Sequence, residues 1–224
     1  MKAQSLAIQP TTTVSDTTRS QWLESPFFNA FIHLNQRVGY WLSRWLGQAL
    51  AIKSQSQIVP FDIKPGIHYV LAANHQSRID PFIISGQIPF NTYKKLGTFR
   101  YFAMNGLFKN ALLRAFIVAF GCFPTRPHPH YPHGLDYSTK LLHQGRSLLI
   151  FPEGRRTVRG VSAARSGVMV LAHEPNTMII PAHIEWQGRS LFRRRFRLVV
   201  GRPFSGSGMT ADEILDSIYA LKVA

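Results

Sequence analysis

Cysteine and acidic residues are both scarce in this 224-residue chain. The single cysteine, Cys122, excludes an internal disulfide and a cysteine-rich zinc site, and is expected as a small core residue. Only 11 Asp and Glu stand against 26 Lys and Arg, giving a formal net charge of +15. Charged residues amount to 17% of the chain, low for a soluble protein, so the imbalance speaks of partners rather than of fold. Anionic lipid, acidic carrier proteins, phosphorylated substrates and nucleic acid all satisfy it. No run of 18 or more apolar residues occurs, so no clear transmembrane helix is expected. The N-terminal stretch "MKAQSLAIQPTTTVSDTTRSQ" lacks the compact apolar core of a signal peptide. Its Ser/Thr richness has a weak transit-peptide flavour, but it reads more simply as a disordered polar tail in a chain facing a cytoplasmic-type compartment. Internal repeats and coiled-coil heptads are missing. So are the Gly-x-Ser-x-Gly of a serine hydrolase and any recognisable DNA or RNA motif, which argues against nucleic acid as the partner.

What is present falls into three regions: a polar tail over 1–24, an amphipathic segment over 25–50 and a single α/β domain over 51–224. In "SPFFNAFIHLNQRVGYWLSRWLGQAL", Phe27, Phe31, Leu34, Val38, Trp41 and Trp45 recur at helical spacing, with Phe28, Leu42 and Leu46 widening the stripe. Asn29, Gln36, Arg37, Ser43 and Arg44 supply the polar positions. Such a helix suits a membrane interface, and equally suits packing against the domain's own core. Beyond it, strand patterns at "GIHYVLAA", "FIVAFGCF", "RSLLIFP", "TMIIPAHI" and "FRLVVG" interleave with helical patterns over 81–88, 101–114, 134–144 and 164–173. A last helix follows in "TADEILDSIYALK", where Thr210 and Glu213 have capping-box spacing. Short apolar strands alternating with helices predict a layered fold with a mostly buried mixed sheet flanked by helices.

Three strand ends bear reactive groups. In "AANHQSRIDPF" a strand ends at His75, and Pro81 predicts a helix start with Asp80 as its cap. The intervening turn can return the Asp80 carboxylate to the imidazole, fixing its tautomer and leaving the other ring nitrogen to take a proton. The plainer reading makes Asp80 an ordinary cap and His75 structural. "LLIFPEGRRTVRG" closes another strand with Glu153, Gly154, Arg155 and Arg156, where glycine permits close backbone approach and guanidinium groups match phosphate oxygens. "GCFPTRP" closes a third with Arg126. If these ends lie side by side, they form one crevice with a base beside an arginine cluster.

At these residues the sequence resembles the glycerolipid acyltransferase family. "NHQSRID" matches its histidine, any four residues, aspartate motif, with His75 and Asp80 in register. "GCFPTR" resembles the second motif, "FPEGRRT" the third and "IIPAHI", with Pro181, the fourth. The resemblance runs from about residue 58 to 204. It implies an O-acyltransferase with His75 as general base on an acceptor hydroxyl, Asp80 orienting it, and direct attack on an acyl thioester without a cofactor. Arg126, Glu153, Gly154 and Arg156 would surround the acceptor's glycerol and phosphate, and Pro181 would shape the acyl side of the cleft. Implied partners are an acyl-CoA or acyl-carrier protein donor, a lysophospholipid acceptor (lysophosphatidate foremost) and an anionic membrane surface. Such an enzyme would sit on the cytoplasmic face of a membrane, as a peripheral or monotopic protein. Two departures bear on the acceptor headgroup. Arg155 replaces a small hydroxyl residue, and "ARSGV" with Arg165 stands where many members have a lysine before a glycine.

His128, His130 and His133 have a spacing that could ligate a metal, but the alternating prolines favour a plain loop and no metal is expected. The cluster "LFRRRFRLVV" reads as an arginine-lined edge strand, or as a surface for anionic headgroups or an acidic carrier.

Overall fold

The computed structural model describes residues 23–49, 55–157, 163–187 and 195–221. Most of the predicted polar tail therefore lies outside the described residues, as do Phe192, Arg193 and Arg194 and the side chains of Ser43, Arg44, Trp45 and Leu46. The tail's last two residues belong to the fold: Leu23 is buried with Phe28 and Ile32, and Glu24 pairs with Lys140 at 2.6 Å.

An eight-stranded mixed sheet forms the core, in the order β1-β7-β6-β2-β5-β3-β4, with β8 on the remaining edge of β6. The strands are β1 (Gln55–Ile58), β2 (His68–Ala73), β3 (Phe99–Ala103), β4 (Cys122–Pro124), β5 (Ser147–Ile150), β6 (Thr177–Gln187), β7 (Arg195–Val200) and β8 (Phe204–Ser205). Pairings are parallel except those of β6 with β7 and with β8. Both faces are covered, which explains why the central strands read as continuous apolar runs. One face bears Leu71, Leu149, Ile180 and Leu198, under helices α1 (Pro26–Ala49), α2 (Asp80–Gln87) and α3 (Phe90–Leu96). The opposite face bears Val70, Leu148 and Ile179, under α5 (Gly134–His143), α6 (Gly167–Ala172) and α7 (Ala211–Ala220). Helix α4 (Ala111–Ala119) packs a smaller cluster through Ile117 with Ala103 and Phe108. At α7 the Thr210–Glu213 capping box forms with both of its bonds.

Several expectations are corrected. The predicted strand "FIVAFGCF" is the end of α4 followed by a three-residue strand, and the predicted helix over 101–114 begins as β3. Asn110 caps α4 by accepting the Leu113 N–H at 2.9 Å, so a polar N-cap started the helix later than the apolar pattern suggested. The arginine-bearing β7 is not an edge: it lies between β6 and the unpredicted β1. In α1 the buried stripe is Phe28, Ile32, Gln36 and Tyr40, while Phe27, Phe31, Leu34, Val38, Trp41 and Leu42 are exposed. Asn29 and Gln36, assigned above to the polar face, are buried. The Gln36 amide donates to Phe99 O at 2.6 Å and Phe120 O at 2.9 Å, and accepts the Phe99 N–H at 3.0 Å. These bonds clamp α1 to the domain, so the segment is a packed helix that also presents an apolar stripe outward.

Candidate functional site

β2, β5, β3 and β4 run parallel, so their C-terminal ends emerge on one edge of the sheet. His75 follows β2, residues 151–157 follow the adjacent β5, and Arg126 follows β4. β3 lies between β5 and β4, which sets Arg126's strand ~10 Å from β5. The Arg126 backbone is held by Asn105, whose side chain accepts the Arg126 N–H at 3.1 Å and donates to Arg126 O at 3.2 Å.

Just past β2, Asn74 extends the strand ladder with its side chain. Its amide donates to Ile184 O at 2.8 Å and accepts the Ile184 N–H at 2.7 Å. This releases the main chain into the His75 turn while β6 continues straight. His75 Nδ1 lies 2.9 Å from Asp80 Oδ2. Asp80 has no solvent exposure, and the same oxygen accepts the N–H groups of Gln76 at 2.7 Å and Ser77 at 2.6 Å. Asp80 Oδ1 accepts the Trp186 indole N–H at 2.7 Å. The carboxylate thus receives four hydrogen bonds, which hold it in one orientation. With a carboxylate as its partner, Nδ1 is the donor and Nε2 holds the lone pair. The plain cap reading of Asp80 is corrected here: α2 begins at Asp80 itself, Ile79 occupies the cap position without a side-chain cap, and the carboxylate serves the preceding turn. Pro81 lies in the first turn of α2, as expected.

The imidazole lies flat on Phe151, with ring centroids 4.0 Å apart and planes 20° from parallel. It keeps 18% of its side-chain surface exposed, enough for one edge to meet a substrate. From the β5 side, the Thr157 N–H donates to His75 O at 2.7 Å, joining the arginine-bearing turn to the histidine turn. Arg155 and Arg156, immediately before Thr157, are exposed, as is Arg126. Gly154 adopts φ +63° against the Arg165 side chain, a left-handed conformation suited to glycine.

Two expected site residues stand elsewhere. Glu153 is 1% exposed, and its carboxylate accepts the Tyr219 hydroxyl at 2.5 Å and the Thr157 hydroxyl. It braces the turn against α7. Pro181 lies mid-strand in β6 opposite Ala72, buried, on the face toward Gly201 and α7. Trp186, Thr157, Tyr219 and Phe151 were not foreseen as site residues. Burial, together with the Glu153 contact, raises the Tyr219 hydroxyl to about 12, keeping it a donor at ordinary pH. The Cys122 thiol is likewise raised to about 12 by burial, in keeping with a core role. Among the described residues no three His, Cys, Asp or Glu side chains converge as a metal site. His128 instead packs, tilted, against Phe108 and Tyr131, and its Nδ1 accepts the His130 N–H at 3.2 Å.

This arrangement can hold a proton acceptor, oriented by a fully hydrogen-bonded carboxylate, at a sheet edge lined with exposed guanidinium groups. Comparison with known proteins bears on the fold and the family. The crystal structure of the 1-acyl-sn-glycerophosphate (LPA) acyltransferase PlsC from Thermotoga maritima superposes with a TM-score of 0.57 at 15% identity, covering 95% of this chain and 83% of that one. At that identity the likeness concerns the fold, a mixed sheet flanked by helices. The 1-acyl-sn-glycerol-3-phosphate acyltransferase of Bacillus subtilis (strain 168) is 27% identical over 139 residues, which span 60% of this chain and 66% of that enzyme. The model of the Acyltransferase family matches residues 51–185, a span that takes in β1 to β5, most of β6 and the His75, Arg126 and Glu153 segments. The chain belongs to the acyltransferase family.

Proposed function

We propose that the protein transfers a fatty acyl group from acyl-CoA or acyl-carrier protein to the free hydroxyl of a lysophospholipid, with lysophosphatidate as acceptor. The observation that supports this most is the His75–Asp80 pair at 2.9 Å, hydrogen-bonded through Thr157 to the turn that bears Arg155 and Arg156. His75 Nε2 removes the hydroxyl proton as the oxygen attacks the thioester carbonyl carbon. The carbon–sulfur bond then breaks, and the departing thiolate takes the proton back from the imidazolium. No side-chain nucleophile is required, because the thioester is already activated. Asp80 stabilises the transient imidazolium, and the guanidinium groups of Arg126, Arg155 and Arg156 suit an acceptor phosphate through paired N–H donors. Both relatives are 1-acyl-glycerol-phosphate acyltransferases, which favours the same acceptor.

A lipid acceptor calls for a lipid surface. No helix among the described residues is long and apolar enough to cross a membrane. Exposed Phe27, Phe31, Leu34, Val38 and Trp41 on α1, with Leu112 and Phe116 on α4, instead suit shallow insertion. The net charge of +15 suits an anionic surface on the cytoplasmic side. In a direct test, purified protein receives palmitoyl-CoA or palmitoyl-carrier protein with lysophosphatidate, and thiol release and phosphatidate are followed together. His75→Ala should lower turnover by about 10²- to 10⁴-fold with the fold intact. Undiminished turnover in His75→Ala rejects the mechanism, and failure with both donors rejects the acceptor.

A further inference from the structure

One oxygen of the Asp80 carboxylate, Oδ2, faces His75. Here its other oxygen is bound just as closely, by a side chain 106 positions along the chain. Trp186 stands near the end of β6, beyond the point where β2 stops pairing with it. It grips the His75 turn twice: the indole N–H donates to Asp80 Oδ1 at 2.7 Å, and the backbone N–H donates to Gln76 Oε1 at 3.0 Å. Its ring packs on Phe196 of β7 at 5.4 Å between centroids, so the indole is itself held by a paired strand.

A carboxylate bonded only at Oδ2 can rotate about its Cβ–Cγ bond and trade oxygens. With Oδ1 anchored by a rigid donor, Oδ2 stays directed at Nδ1 and at the Gln76 and Ser77 amides. We infer that Trp186 is a positioning residue for the His75–Asp80 pair, acting through its indole N–H to fix the plane of the carboxylate and hence the direction of the imidazole. The inference rests on the proposed role of His75 as base. Trp186 touches no reacting atom, so its removal should affect the rate of transfer and leave substrate affinity alone.

Trp186→Phe retains a ring against Phe196 and removes the donor. Where that variant fails to fold, benzothienylalanine introduced at 186 keeps the indole shape with sulfur in place of N–H. Loss of one hydrogen bond to a buried charge predicts a kcat lower by about 10- to 100-fold, with KM for both substrates within about twofold. An independent readout needs no turnover: in ¹⁵N-histidine-labelled protein, the His75 Nδ1 proton bonded to Asp80 should resonate downfield, and should move upfield or broaden in the variant. Lower kcat at constant KM together with the moved resonance supports the inference. Unchanged kcat, a change confined to KM, or a lower kcat with the resonance unmoved each overturns it. A protein that transfers no acyl group to any acceptor would instead sink the proposed function, while the resonance still reports whether the indole orients the pair.

Discussion

Replacing Tyr219 with phenylalanine removes a single oxygen, and the structure sets what that should cost. The hydroxyl donates to Glu153 Oε1 at 2.5 Å, and the Glu153 side chain is almost fully enclosed. In Tyr219→Phe that oxygen loses its phenolic donor in a site with little water access, while Oε2 keeps Thr157. A hydrogen bond to a charged, buried acceptor is worth about 1.5–3 kcal/mol. For a chain of this size each kcal/mol moves the melting temperature by about 2–4 °C, so ~2 kcal/mol predicts a fall of about 4–8 °C. The effect also has a pH signature. The Tyr219 hydroxyl is raised above its ordinary value of 10 to about 12, first by burial and then by the Glu153 contact. A raised group stabilises the fold while protonated: its contribution is whole below pH 10 and fades as pH climbs through 12. The gap between wild type and Tyr219→Phe should therefore be full at pH 8 and shrink between pH 10 and 12. Melting curves by circular dichroism at pH 8, 10 and 11.5 read both quantities. A Tyr219→Phe melting temperature within about 1 °C of wild type at pH 8, or a gap that widens in alkali, would refute the assignment of that bond.

Two further outcomes follow from packing at the other end of the fold. Gln36→Leu strands the main-chain groups of Phe99 and Phe120 that the amide holds, and should cost about 3 kcal/mol, seen as a lower urea midpoint at constant slope. Phe27→Ser, Leu34→Ser and Val38→Ser combined remove side chains that are more than half exposed, so the melting temperature should hold within about 2 °C while sedimentation with phosphatidylglycerol vesicles weakens by about 100-fold or more. Unchanged sedimentation would take α1 out of membrane binding.

Sequence patterns exposed the site in proportion to how local its parts are. His75 and Asp80 are five residues apart, and a strand, a turn and a proline-started helix suffice to bring them together. Asp80's fourth donor lies 106 residues away, and Glu153's partner Tyr219 lies 66 residues away. Neither pairing leaves a local pattern, since a tryptophan after an apolar run and a tyrosine on an amphipathic helix are ordinary core residues until topology brings them in. Strands β2, β5 and the first half of β6 were legible because burial on both faces writes a nearly unbroken apolar run. The four residues of β1, Gln55, Ser56, Gln57 and Ile58, give no such signal because that strand is an exposed edge. β3 includes Arg100, buried against Asn29 and Tyr137, and that charge hid a central strand inside a predicted helix. In α1 the glutamine and asparagine that bind main-chain groups were indistinguishable from solvent-facing polar residues, which turned the inferred inner face outward.

β6 keeps β2 beside it only to Ala182 and then runs on against β7 to Gln187. Its part beyond β2, ~16 Å long, stays in the sheet through β7 on one side. Along an extended chain neighbouring side chains alternate, so deleting one residue between Pro181 and Trp186 would turn the indole toward the α7 side. Chains sharing this device can therefore lengthen or shorten that span only in pairs of residues, and a variant with an odd change there must steady its carboxylate from some other direction.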